Sequence, residues 1–115
     1  MANNAPHTDV REEDGACLDG LLTMLSDAQR RRVLTLLVDS DAIGLDEVLR
    51  AGGHDDPTIQ RTALYHNHLP KLDAAGFVDW DVDLGLIRRG PKFDDVEPVV
   101  LVLRSSVDDL PLEWL

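Results

Sequence analysis

Apolar residues recur at helical spacing from Leu18 onward: Leu18, Leu21, Leu22 and Leu25 mark a first short helix. Ser26 breaks the pattern, and Gln29 follows three positions later. That pairing reads as a capping box, with a helix behind it placing Val33, Leu34, Leu37 and Val38 on one face as far as about Asp39. A turn at Ser40–Ala42 leads to Ile43, which could form a strand-like pair. Leu45, Val48 and Leu49 give the next stripe, with Asp46 and Glu47 in the first turn, where a helix favours anions. Gly52-Gly53 ends that helix. Asp56-Pro57 opens another as N-cap and first helical residue, and it runs to about Ala75 ahead of the stop at Gly76. Pro70 lies inside it and must bend it at a definite point. Leu69, Leu72 and Tyr65 form its expected core side.

After Gly76 the period falls to two. Val78, Trp80 and Val82 alternate with aspartates, Leu84-Gly85 reverses the chain, and Leu86–Arg89 returns as a second strand. A lone hairpin is marginal in water, so it must lie on the helices. Phe93, Val96, Val100, Leu103 and Val107 then recur at helical spacing. Leu101 and Val102 make that segment apolar nearly all round, so a helix there needs burial both in its own domain and against something else. Its β-branched content leaves a strand open as the alternative. DDLPLEWL at the end reads as a docked tail anchored by Trp114.

The resulting fold class is mainly α with a small β-hairpin: a winged helix-turn-helix plus a C-terminal helix. The expected organisation is a disordered tail over 1–16, the winged domain over 17–92, and a dimerisation helix with its tail over 93–115. At 115 residues the chain has the size of one domain, and 43% hydrophobic residues suffice for a single core. No apolar run is long enough to cross a membrane, and no basic-then-apolar leader is present. A single cysteine, Cys17, excludes an internal disulfide and a multi-cysteine zinc site. These features read as a soluble, cytoplasmic protein.

Charge changes the picture. Asp plus Glu number 22 against 11 Lys plus Arg, for a net charge of −11. Such a surface ordinarily repels nucleic acid. Asp-rich, lysine-poor composition also suits a protein working in concentrated salt, where charges are screened within about 3 Å at 1 M. On that halophilic reading the positions of the few cations say more than their total. Arg88, Arg89 and Lys92 cluster in and beyond the hairpin, as a phosphate-facing wing would require. Gln60, Arg61, Thr62, His66, Asn67 and Lys71 supply polar groups on the preceding helix, and Asn and Gln can pair bidentately with adenine. A second cluster, Arg30–Arg32, could reach phosphates or pair with carboxylates.

Met24–Leu37 resembles the first core helix of arsenical-repressor-like winged helices. His68–Val78 resembles the end of their recognition helix, and with Ile87–Pro91 the run looks like the small haloarchaeal regulators of that class. The resemblance covers about residues 18–92. It implies a DNA-binding transcriptional regulator of double-stranded DNA, with a recognition helix over about 57–75 in the major groove and a wing over about 77–90 on the backbone. The last helix would supply a homodimer through Phe93, Val96, Val100 and Leu103, and hence a palindromic site. The cysteine pairs with which that class often senses metals are missing. His66 and His68 are two positions apart and diverge on a helix, so no metal or other cofactor is expected. No nucleophile elbow, phosphate loop or zinc-protease motif argues for an enzyme. The alternative is a winged-helix protein–protein interaction module whose recognition face stays acidic and binds no DNA.

Overall fold

The computed structural model describes residues 18–53 and 56–106. The expected tails over 1–16 and beyond Ser106, with Trp114, lie outside these residues. The elements run α1 (Leu18–Met24), α2 (Ala28–Asp39), β1 (Ala42–Gly44), α3 (Leu45–Ala51), α4 (Pro57–Ala63), a π-helical turn (Leu64–His68), α5 (Leu69–Ala74), β2 (Val78–Asp81), β3 (Leu86–Arg89) and α6 (Phe93–Ser105). This is a mainly helical winged helix-turn-helix with a C-terminal helix. Its wing is a three-stranded antiparallel sheet in the order β1-β3-β2 rather than a hairpin alone. Ile43 pairs with Ile87, and Trp80 pairs with Ile87 from the other side. The third strand gives the wing the support that two strands lack.

Local chemistry explains most boundaries. Asp27, not Ser26, caps α2: its carboxylate accepts the Gln29 amide at 2.8 Å, while the Gln29 side chain donates to the Gln60 carbonyl at 3.4 Å. The capping-box spacing was therefore misplaced by one residue, because an aspartate adjacent to the serine competes for the same amide. Ser26 instead donates to the Thr23 carbonyl at 2.7 Å. Asp56 caps α4 through the Thr58 amide at 2.8 Å, with Pro57 at the first helical position. Gly76, at φ +83°, terminates α5 in the left-handed conformation glycine tolerates best. The predicted strand stops at Asp81. Val82 turns outward into the reversal, where Asp81 accepts the Leu84 amide at 3.1 Å.

One apolar core joins every element except α4, whose buried residue is Gln60. Val33, Leu34 and Leu37 of α2, Val48 of α3, Leu64, Leu69 and Leu72, Phe77, Ile87 and Val96 are 0–1% exposed. Phe93, Val96 and Val100 of α6 belong to it at 2%, 0% and 2% exposure. They were assigned to a dimer interface, and that assignment is corrected: a helix buries its most regular apolar stripe in its own domain first. Leu103 is 38% exposed, and Leu101 and Val102, on the turn before it, are exposed as well.

Pro70 bends the long helix as expected, but by a specific device. Proline has no N–H, and its ring crowds the carbonyl four residues back. The chain widens by one residue just ahead of it, so the Leu69 amide bonds to the Leu64 carbonyl, five residues away. One inserted residue rotates α4 by about 100° relative to α5. A straight wheel therefore describes one half of this helix wrongly.

Candidate nucleic-acid interface

That rotation decides which side chains face solvent. In α5 the inward residues are Leu69 and Leu72, as the apolar spacing requires. In α4 and the π turn they are Gln60, Leu64 and His68, and Gln60 and Leu64 are not residues that continue the Leu69–Leu72 stripe without a shift. Gln60 is 3% exposed and lies against Gly52, where a Cβ would overlap its amide group. It was assigned to base contact and is withdrawn from the site. Leu64 at 0% exposure takes its expected core neighbour Tyr65 partly outward, where Tyr65 meets Trp80 edge-on at 5.2 Å between ring centroids.

The remaining helix residues stay together on the outside. Arg61, Thr62, His66, Asn67 and Lys71 are all exposed. Thr62 donates to the Thr58 carbonyl at 2.9 Å, which leaves its methyl and an oxygen lone pair outward. Arg61 has a loose ion pair with Asp46 of α3 at 3.9 Å, with both side chains more than half exposed. Such a pair contributes little stability and leaves the guanidinium able to exchange partners. Ile59, 68% exposed in the first turns of α4, was not singled out in the sequence. Only the π shift shows that it faces out; its signal was an isoleucine one position before a buried polar residue.

The wing departs from expectation. Arg89 folds inward: its Nε donates to the Leu37 carbonyl at 2.8 Å and its Nη2 to the Val38 carbonyl at 3.0 Å, closing the end of α2. Asp41 lies 3.5 Å from Nη1, and the guanidinium stacks over Phe93 at 5.1 Å. Lys92 lays its stem over Gly76, and its amide donates to the Gly76 carbonyl at 2.8 Å. Both are removed from the proposed phosphate contacts, since period-two alternation sends Arg89 to the same side as buried Ile87. Arg88 points to the other face. It is exposed, and its side chain has no hydrogen bond or ion pair among the described residues. It sits midway along the strand opposite Asp79, while the wing tip carries Val82, Asp83 and Leu84.

Two arginines of the Arg30–Arg32 cluster also turn back onto the chain. Arg30 is 6% exposed; its Nε donates to the Met24 carbonyl at 2.8 Å and its Nη2 to the Thr23 carbonyl at 3.1 Å. Arg31 donates to the Leu25 carbonyl at 2.7 Å. These two arginines close the C-terminal end of α1 and its exit, a role neither the phosphate nor the carboxylate reading anticipated. Arg30 Nη1 also lies 3.0 Å from His68 Nδ1. A guanidinium can only donate, so Nδ1 accepts and the ring proton sits on Nε2, 3.4 Å from Asp27. Burial lowers the His68 pKa from its ordinary value; Asp27 pulls it up, and Arg30 and Lys71 push it further down. His66 is exposed and His68 is 4% exposed, so the two do not converge on a common ligand. No group of three metal-binding side chains occurs among the described residues.

The run from α1 to Arg88, which contains this helix face and both outer strands of the wing, coincides with a single family model. It is described as a domain of unknown function, DUF7344, and matches residues 22–88. The chain belongs to the DUF7344 family. No curated protein and no solved structure matches it. The DUF7344 match takes in all the exposed residues of the candidate interface, and it ends before Arg89, Lys92 and α6. Among the described residues no helix is long and apolar enough to cross a membrane.

Proposed function

We propose that this DUF7344 protein is a cytoplasmic, sequence-specific DNA-binding transcriptional regulator of the arsenical-repressor-like kind, reading double-stranded DNA with the outer face of α4 and α5. The observation that carries this reading is that face itself. Thr58, Ile59, Arg61, Thr62, His66, Asn67 and Lys71 stand exposed on the helix that precedes the wing. Recognition helices of this architecture read base edges from their N-terminal residues. Asn67 can pair with adenine, Arg61 with guanine once released from Asp46, and Ile59 can meet a thymine methyl. Phosphate contacts are few, Lys71 and Arg88 being the available cations. A site of that kind suits concentrated salt, because each phosphate contact adds about 0.9 to the salt slope of binding. A homodimer would form through the outer side of α6, at Leu101 and Val102, and would impose a palindromic operator.

A protein-interaction module is the second reading. It is favoured by Asp46, Glu47, Asp79 and Asp83, exposed acidic residues on α3 and the wing. Fluorescence anisotropy with the chain's own upstream DNA, in molar KCl, separates the two. Saturable binding weakened by Asn67→Ala supports the regulator. Absence of binding at every salt concentration overturns the regulator and favours the protein-interaction module.

A further inference from the structure

Away from the helix face, α2, the end of α3 and the end of α6 enclose a groove of about 260 Å³. Ala28, Thr35, Leu36, Ala51 and Leu103 form its apolar lining, and Arg31, Arg32 and Arg104 supply the cations. Arg31 is tethered to the Leu25 carbonyl and Arg104 to Asp39 at 2.9 Å, so their charges are held in position beside the groove. Leu103 and Arg104 lie at the C-terminal end of α6, immediately before the chain leaves the described residues at Ser106.

We infer that this groove is the docking site of the chain's own C-terminal segment, Val107–Leu115. Three observations select this occupant. First, the tether is short: eight residues from Ser106 to Trp114 span at most about 29 Å when extended, and the groove begins at the helix end from which they depart. Second, the segment has period two. Leu110, Leu112 and Trp114 alternate with Asp109, Pro111 and Glu113, so an extended chain presents three large apolar side chains to one side and two carboxylates to the other. Third, the charges match. The segment carries Asp108, Asp109 and Glu113, and the groove is edged by Arg31 and Arg32 in a protein whose surface is otherwise dominated by carboxylates, so the two attract as they approach. The N-terminal residues are equally acidic but contain no aromatic residue and no leucine before Leu18. The inference is independent of DNA binding.

Trp114 makes the test direct. In the full-length Trp80→Phe protein, Trp114 is the one remaining tryptophan, and the phenyl ring retains the contact with Tyr65. The expected result is blue-shifted Trp114 emission with weak acrylamide quenching, independent of protein concentration. Leu103→Asp in that background should shift the emission to the red and raise the quenching constant severalfold. Ala51→Glu, at an exposed position whose new charge repels the acidic segment, should do the same without touching the core. Circular dichroism confirms that each variant is folded. Emission as red as that of the urea-unfolded chain in the parent protein overturns the inference. So does emission that both groove variants leave unchanged. Blue-shifted emission that is lost on dilution, in step with a dimer-to-monomer change in light scattering, assigns the groove to a second copy and also overturns it.

Discussion

The arginines at the two ends of α2 and the exposed face of α4 and α5 use similar side chains for opposite purposes. Around α2, Arg30 and Arg89 lie against the protein and donate to carbonyls that the ends of α1 and α2 leave without helical partners. On α4 and α5, Arg61 and Lys71 extend into solvent beside Asn67 and His66. In a chain of net charge −11 the clustering of cations in sequence looked like a phosphate signal. The difference between the regions teaches that clustering reports where helices end as readily as where ligands bind. The carbonyls within reach separate the two uses, and sequence spacing does not. Salt divides them too, since exposed charges are screened at molar salt and buried ones much less.

The largest effect is expected from Arg30. Its guanidinium serves the Thr23 and Met24 carbonyls and His68 at once. Arg30→Ala leaves the Met24 carbonyl and His68 Nδ1 without that donor, while the Thr23 carbonyl keeps Ser26, and unfolding free energy in urea should fall by about 3 kcal/mol. Arg30→Lys should recover less than half of the loss, because an ammonium cannot reproduce the fork. If Arg30→Ala is as stable as the parent, the buried network contributes nothing and the comparison fails on that side.

Next comes the exposed face. Asn67→Ala should weaken operator binding by about 1–3 kcal/mol and relax preference at one base pair, with stability changed by less than about 0.5 kcal/mol. The adjacent wing residues sharpen the contrast further. Arg89→Ala should lower stability by about 1.5 kcal/mol, through loss of two charge-assisted bonds to α2 and the stack on Phe93. Arg88→Ala should leave stability within about 0.5 kcal/mol and reduce the salt slope of DNA binding by about one. Reversal of those two phenotypes would show that the strand presents the other face to DNA.

Much of this fold was readable from the residues. The spacing of Val33, Leu34 and Leu37, the Asp56-Pro57 start and the Gly76 stop fixed the helices, because each rests on local backbone chemistry. Ile43 hinted at β1, yet its pairing with Ile87 is a contact across 44 positions that no local pattern specifies. The candidate site was less legible. A straight wheel placed Gln60 with Asn67, and the extra residue at Leu64–His68 separated them. Pro70 predicted a bend without saying that it would be taken up as a widened turn. The inward fate of Arg30, Arg89 and Lys92 depends on carbonyls and a glycine brought near by tertiary packing. Arg61, Thr62, His66, Asn67, Lys71 and Arg88 kept their expected exposure, and Arg89, though exposed, turns its donors to α2.

The smallest effect tests the buried side through protons. His68 has its pKa lowered below the ordinary 6.5, chiefly by burial. Above 6.5 the imidazole is neutral in both folded and unfolded chains, and stability does not depend on it. Below 6.5 the unfolded chain takes up a proton that folded His68 resists, so unfolding free energy falls as pH falls toward the lowered folded value. The slope from this one group cannot exceed about 1.4 kcal/mol per pH unit. Urea unfolding of the parent between pH 7.5 and 5.5 should therefore show a steeper loss than unfolding of His68→Gln. A glutamine keeps an acceptor for Arg30 and a donor for Asp27 but cannot be protonated. Equal slopes for the parent and His68→Gln would mean that the folded protein accommodates the imidazolium between Asp27 and Arg30. The buried arginine side would then be as tolerant of added charge as the exposed helix face.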